Sequence, residues 1–285
     1  MRMLFRIAMR NILKARRRTL LLSVAIAAVT MLLILMLSLT EGISQSVVKS
    51  ATVLLSGHVN VAGFYKSTPT DAAPLVTDSE KVEKIVREHT PGVDHVVDRT
   101  QGFGTVVSPT DSINTLLMGV DIEEETNFLD VVQLAPRSAY IEGSDDQTVE
   151  GDPSRLSEAN TALLFASQAK RLGVQVGDPL TIRAETFSGT ANTVDVTVVA
   201  IAKDVGLLST FALFLPKETV RNLYQLNEDT TGMVLAYVED PDDARDAMGA
   251  VRAELEEQGF RVMDHRPEPF FAKFESARRE DWTGQ

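Results

Sequence analysis

The residue types that do most protein chemistry are sparse in this 285-residue chain, and their spacing fits no catalytic pattern. Cysteine is absent, which removes disulfides, thiolate metal sites and a cysteine nucleophile together. The imidazoles are His58, His89, His95 and His265; no two have the i, i+4 spacing of a zinc-binding helix, so each reads as structural or surface. No Gly-x-x-x-x-Gly-Lys-Ser/Thr phosphate loop occurs, so the chain has no visible means of hydrolysing ATP. A Gly-x-Ser-x-Gly elbow and a His-Glu-x-x-His helix are missing as well. Carboxylate pairs are common only because the chain is acidic, so they give no support to general acid–base catalysis. The densest acidic stretch, Glu142 to Glu158 with Asp145, Asp146, Glu150 and Asp152, lacks calcium-loop spacing and reads as a solvated loop. An enzyme reading has little support.

With the chemistry removed, the physical pattern of the chain carries the reading. Residues 1–18 hold seven of the 28 Lys/Arg and no acid, leaving 21 bases against 40 acids, a net −19, on residues 19–285. From Thr19 to Thr40 no residue is charged and every helical face is apolar, which an amphipathic core helix would not tolerate. Twenty-two residues at about 1.5 Å each span roughly 33 Å, enough for a hydrocarbon core of about 30 Å. A cleaved signal peptide is the rival reading, but its apolar region is shorter and followed by a small-residue cleavage site, whereas this run leads into Thr40-Glu41-Gly42-Ile43. The segment is therefore expected to be an uncleaved anchor.

Arg16, Arg17 and Arg18 abut the span, and positive flanks stay on the cytoplasmic side, so residues 41–285 are expected outside the cytoplasm. Arg2, Arg6, Arg10 and Lys14 recur every four residues beside apolar Leu4, Ile7, Met9 and Ile12, the pattern of a basic helix on lipid headgroups rather than on nucleic acid. Beyond the span, Ile43, Val47, Val48, Ala51, Leu54 and Leu55 continue at helical spacing until Gly57, which predicts a stalk.

The body reads as α+β. A strand His58–Val61 is followed by a loop with Pro69 and Pro74, then a helix opened by a Thr77/Glu80 capping box and stopped at Pro91-Gly92. Val93–Val107 reads as extended but interrupted by Gly102 and Gly104, and Ile113–Val120 as a strand. Near the C-terminus a strand Met233–Val238, a helix capped by Asp240, and a returning strand Phe260–Met263 repeat the order. Two βαβ units thus bracket the body as one α/β layer. Between them, Thr161–Phe165, a helix Ser167–Leu172 capped by left-handed Gly173, a Gly177-Asp178-Pro179 turn, Leu180–Arg183 and Thr193–Ile201 predict a small inserted β-rich subdomain. A side chain at Gly173 or Gly177 is expected to damage folding there.

Three segments together resemble the MacB/LolC-type ABC transporter permeases, the lipoprotein-releasing permeases and macrolide exporters. Ala8-Met9-Arg10-Asn11-Ile12-Leu13 followed by Arg16-Arg17-Arg18-Thr19-Leu20-Leu21 is similar to the family's entry into its first membrane helix. Ala169 to Asp178 with Val198-Val199-Ala200-Ile201 is similar to its central subdomain. Ala212-Leu213-Phe214-Leu215-Pro216, the helix to Leu226 and the unit ending at Met263 resemble the returning half of its porter-like subdomain.

The resemblance implies a division into a cytoplasmic basic segment 1–18, a span and stalk 19–56, porter-like halves 57–127 and 206–265, the β-rich insertion 128–205, and a return segment 266–285. That last segment, with Phe270, Phe271, Phe274 and Trp282, would lead back toward the membrane. The family's permeases carry three further spans beyond such a domain, so this sequence is expected to be the N-terminal portion of a longer permease.

In that setting ATP and Mg would belong to a partner cytoplasmic ABC ATPase, with no cofactor, catalytic residue or metal in this chain. A second permease subunit, in a homodimer or heterodimer, would pair with it in the bacterial inner membrane. Lipoprotein or another amphiphile, or a periplasmic carrier, would meet the outer domain. Leu32, Leu35, Met36, Leu39 and Ile43 would then face the partner permease and the acyl chains, because Leu and Met repack around varied apolar partners. The competing reading is bulk lipid on that face and, for the whole chain, a single-span binding or scaffold module with no energised cycle.

Overall fold

The computed structural model describes residues 16–63, 65–66, 72–73, 75–186, 189–206, 208–240 and 243–260. The basic stripe 1–15, Pro69 and Pro74, most of the expected strand Phe260–Met263, and the return segment 266–285 fall outside those residues, wholly or in all but one position. The chain divides into two compact units, residues 1–50 and 51–285.

The first unit holds helix α1, Arg16–Ala51, which is 36 residues long. Its stretch Leu20–Gly42 is long and apolar enough to cross a membrane, and none of it is buried against protein. A soluble helix with Leu, Ile, Val and Met on all sides would lose the hydrophobic gain of folding, so this surface calls for lipid. Thr30 and Thr40 turn their hydroxyls back to the carbonyls of Ile26 and Met36, both at 2.9 Å, and so carry their polarity without an external partner.

The second unit opens with a single π-helical turn, Thr52–Ser56, in which Gly57 N–H reaches Thr52 O at 2.8 Å. Gly57 then takes φ 58°, the left-handed conformation that ends a helix. Strand β1 (Val59–Ala62) follows, then two-residue strands β2 (Tyr65–Lys66), β3 (Ala72–Ala73) and β4 (Val76–Thr77). Helix α2 covers Ser79–His89. Its N-cap is Asp78, held at φ 53° with no side-chain cap bond, so the expected Thr77/Glu80 capping box does not form; Thr77 is instead engaged in β4, paired to Thr230.

Strand β5 runs unbroken from Val93 to Val107, 15 residues, through the glycines expected to interrupt it. Those glycines serve packing: a Cβ on Gly102 would lie 2.2 Å from the ring of Tyr224. After β6 (Ser112–Val120) come the short helices α3 (Thr126–Val131) and α4 (Arg137–Tyr140) and a 3-10 turn Pro153–Ser157. Then follow β7 (Thr161–Phe165), α5 (Ala166–Leu172), β8 (Pro179–Glu185), β9 (Ala191–Ala202), α6 (Leu208–Phe211), β10 (Ala212–Pro216), α7 (Lys217–Tyr224) and β11 (Thr230–Thr231). Strand β12 (Met233–Val238) leads to α8 (Ala244–Glu257). Helix α8 is preceded by Asp243, which makes no side-chain cap bond; residues 241–242, which join it to the expected cap Asp240, lie outside the described residues.

While β2–β3 and β4–β11 form two separate two-stranded ladders, eight strands form one sheet in the order β1-β12-β5-β6-β10-β7-β9-β8, with β8 pairing back to β5. The last six strands are therefore a closed barrel, which leaves no unpaired edge among them. Strand β5 belongs to both parts. Its residues Val93–Arg99 pair with β12, and Gly104–Val107 pair with β8, while β6 runs along Thr100–Val107. Because β12 is antiparallel to both β1 and β5, those two are parallel, joined through α2 with β12 lying between them. The β-rich part thus draws β5, β6 and β10 from outside 128–205.

Three cores follow from this topology. Helices α2 and α8 cover one face of β1-β12-β5 with Val82, Ile85, Val86, Ala247 and Val251. The barrel interior is apolar, with Val106, Leu117, Leu164, Ile182, Val198 and Leu213 among its lining. A third cluster lies outside the barrel wall, where Val53, Leu54, Phe128 and Leu156 cover Met118, Leu163, Phe214 and Ala200. Strands β7 and β10, Thr161–Phe165 and Ala212–Pro216, are buried at every residue because both of their faces are covered.

The acidic stretch is solvent-facing, as expected, with carboxylates engaged in local pairs and caps. Arg137 holds Glu150 at 2.8 Å and Asp146 at 3.3 Å, Asp152 caps the 3-10 turn through Ser154 N–H at 3.0 Å, and Leu156 is buried.

Candidate functional site

The unusual chemistry of the second unit lies where β5 passes from the sheet layer into the barrel. Successive strand residues face opposite sides, so Asp98 and Arg99 look into different cores. Asp98 pairs with Lys217 at the start of α7, and Thr100 Oγ1 donates to Lys217 O at 3.2 Å. Arg99 is completely buried. Its Nε donates to both Glu125 oxygens at 2.9 and 3.0 Å, its Nη1 to Leu54 O at 2.6 Å and its Nη2 to Val53 O at 2.8 Å. Nη2 also meets Glu125 Oε2 in a short contact.

The electrostatics follow the burial. Loss of water works against the charged Arg99, but the Glu125 carboxylate more than offsets this, and the guanidinium pKa ends above its ordinary value. Tyr237 donates its hydroxyl to the same Val53 O at 3.1 Å, and burial pushes its phenol up to about 12. His95 stacks on the Tyr237 ring with centroids 4.5 Å apart, and His58 meets it edge-on at 5.9 Å. His58 Nδ1 accepts the Val238 N–H at 3.0 Å. Glu124 lies instead near the Asp98–Lys217 pair, and partial desolvation, then the neighbouring carboxylates, hold it above the usual carboxylate range although Lys217 opposes them.

On the other side of the junction, Tyr224 donates to Phe103 O at 2.7 Å across Gly102, and burial raises its phenol far above the ordinary value. Helix α7 is therefore fixed over β5 at both ends, by Lys217 and by Tyr224.

The residues singled out from sequence lie elsewhere. Arg17 and Arg18 are exposed on the first turns of α1, with Arg16 at its start. Leu32, Leu35, Met36 and Leu39 are exposed on α1, and Ile43 falls on the same helix. Gly173 closes α5 at φ 64°, and a Cβ there would come within 2.9 Å of Thr110 Oγ1. Gly177 has φ 95°, and Asp178 accepts Gln175 N–H at 2.8 Å across the turn. These positions do not converge on one place in the second unit.

Nothing at the junction pairs a nucleophile with a base, and among the described residues no three His, Cys, Asp or Glu side chains are placed to hold a metal ion. The arrangement fixes the geometry between elements. Sequence reasoning missed Arg99 and Glu125. The signal was present: Asp98-Arg99 interrupts an apolar strand with two charges, whereas Glu125 is hidden in the run Glu123-Glu124-Glu125, which has the look of solvent-facing polarity.

The extracellular domain of the noncanonic ABC-type transporter YknZ from Gram-positive bacteria is similar in structure at 16% identity and TM-score 0.43, with 72% of this chain and all of that one covered. The periplasmic region of MacB from Actinobacillus actinomycetemcomitans is similar at 14% identity and TM-score 0.38, covering 73% and 82%. A domain of a permease protein from Porphyromonas gingivalis matches at 15% identity and TM-score 0.35, covering 76% and 94%. A comparison with curated proteins finds no match. The family model of the MacB-like periplasmic core domain matches residues 19–254, from the first residue of the apolar run through most of α8, and the chain belongs to that family of ABC transporter permease domains.

Proposed function

We infer that this chain is the N-terminal portion of an ABC permease subunit whose outer domain moves when a partner subunit hydrolyses ATP on the cytoplasmic side. The work done is release of lipoprotein, or export of another amphiphile, from the bacterial inner membrane. ATP and Mg belong to the partner ATPase, and a second permease subunit completes the assembly. The N-terminus lies in the cytoplasm, with Arg16, Arg17 and Arg18 at the inner headgroups and the body on the periplasmic side.

The observation that carries this reading is that one family match takes in both the exposed apolar helix and the folded body, residues 19–254. The fit is physical as well. A body whose described residues form no catalytic constellation, built around a strand common to sheet layer and barrel, suits a part that is moved rather than one that reacts. Leu32, Leu35, Met36, Leu39 and Ile43 supply an adaptable apolar face for acyl chains or a partner span.

The test is gentle extraction of the native protein from its own membrane, with intact-mass analysis of everything that travels with it. The expected result is a chain heavier than 31.2 kDa accompanied by an ATPase, and protease added to spheroplasts that cuts beyond residue 41 while sparing residues 1–18. A 31.2 kDa chain without an ATPase would replace this reading with the single-span scaffold module. Cleavage within the basic tip would reverse the topology.

A further inference from the structure

A buried Arg–Glu pair is a poor choice for stability alone, since apolar side chains of similar volume do as well or better in such places. The Arg99–Glu125 pair therefore asks what an arginine supplies that a leucine cannot. Its contacts answer. The last carbonyls of a helix have no partner within the helix, and Arg99 takes two of them, Val53 O and Leu54 O, on separate nitrogens. Glu125 fixes the guanidinium plane from the segment before α3, and Tyr237 from β12 adds a bond to Val53 O. Arg99 itself stands on β5, at the last residue paired to β12 and five before the first paired to β8.

We propose that Arg99 is a positioning residue that fastens the turn Thr52–Ser56 to the one strand common to the sheet layer and the barrel, so that displacement arriving along the chain at residues 52–56 is delivered to both. Glu125 holds the guanidinium flat for this purpose, and the turn is the place where the fastening gives when it is removed. The role in transmitted motion rests on the permease reading; the fastening itself does not.

Hydrogen exchange by mass spectrometry on the full chain in lipid nanodiscs reads the fastening directly. In Arg99→Met, amides in the peptide spanning 52–57 should exchange at least about tenfold faster, the signature of a local opening. Because Arg99→Met leaves Glu125 buried without its partner and can unfold the body, the Arg99→Met/Glu125→Met variant provides the second arm. It should accelerate 52–57 while leaving β7 and β9 at wild-type rates. Tyr237→Phe, which removes one bond to Val53 O, should give a smaller rise at the same amides. Unchanged exchange at 52–57, or equal acceleration throughout the body in the double variant, would overturn the proposal. Co-purification of wild type reports separately on the permease reading: if 52–57 loosens and no ATPase is found, the fastening stands and the energised motion does not.

Discussion

The barrel interior and the stretch of β5 from Asp98 to Thr100 are buried to a similar depth with opposite chemistry. Leu117, Leu164, Ile182 and Leu213 are wholly excluded from water among other apolar side chains. Arg99 and Thr100 are equally excluded, and Asp98 nearly so, yet each is satisfied by a named partner on another element. Apolar burial is non-directional and roughly proportional to area, so many arrangements of the barrel core have similar energy. Hydrogen-bonded charges tolerate few. The barrel is built to hold together, and the junction to hold one geometry between parts.

The comparison breaks most visibly if the junction can lose one charge cheaply. Glu125→Leu leaves the Arg99 guanidinium buried without its carboxylate, and the expected loss is about 3–5 kcal/mol. For a protein of this size that corresponds to roughly 2–4 °C of melting temperature per kcal/mol. Urea unfolding of the full chain in detergent checks it. Adding Arg99→Met to Glu125→Leu should restore part of the lost stability. A single variant within 1 kcal/mol or so of wild type would mean that the pair is no more directional than the barrel core.

What the sequence disclosed divides along the same line. The apolar helix, the first βαβ unit, β7 with α5, and the strands on either side of Gly177 are written in local patterns of charge, periodicity and turn chemistry, and these were legible. Barrel closure was not, because it depends on β8 returning to β5 across some 75 residues, and pairing at that separation leaves no local mark. The glycines of β5 misled for a related reason: Gly102 looks like a break until Tyr224, far along the chain, is seen to occupy the space of its side chain. The Thr77/Glu80 box failed because good local capping chemistry yielded to strand pairing nearby, as in the bond of Ser79 N–H to Asp229 O at 3.0 Å. The candidate junction residues were hardest of all. Arg99 and Glu125 are 26 positions apart, and although two adjacent charges mark β5, nothing local ties Arg99 to Glu125.

A milder change sharpens the barrel's side of the comparison. Leu164 is fully buried within the interior and carries no polar atom on its side chain, so Leu164→Met keeps volume and chemistry and should cost less than about 1.5 kcal/mol. Arg99→Lys preserves charge just as conservatively on paper, but an ammonium cannot reproduce the fork that reaches Glu125, Val53 and Leu54 together. The two conservative variants should therefore separate in a side-by-side melt, with Leu164→Met the closer to wild type. The reverse order would erase the distinction between the regions.

The smallest effect concerns pH at the edge of the junction. Burial, and then the nearby His95, hold the His58 pKa below its ordinary value of 6.5. The cause is visible in the geometry: Nδ1 must stay unprotonated to accept the Val238 N–H, and the ring lies edge-on against Tyr237. As pH falls, the unfolded chain takes up this proton before the folded one does. The contribution of His58 is therefore complete above pH 6.5 and is lost as pH falls from there through the lower folded value. His95, stacked on the other side of Tyr237 and bonded to Asp94 at 2.9 Å, is a second imidazole in the same cluster, so the slope of wild type alone is not diagnostic. His58→Asn isolates the group, because the Asn side-chain oxygen can accept the same N–H and does not ionise near neutrality. The variant should melt close to wild type at pH 8 and fall less steeply on acidification below pH 6.5. Parallel pH profiles for the two proteins would show that His58 is as indifferent to its protonation as an exposed histidine, and that the directional character of the junction stops at Tyr237.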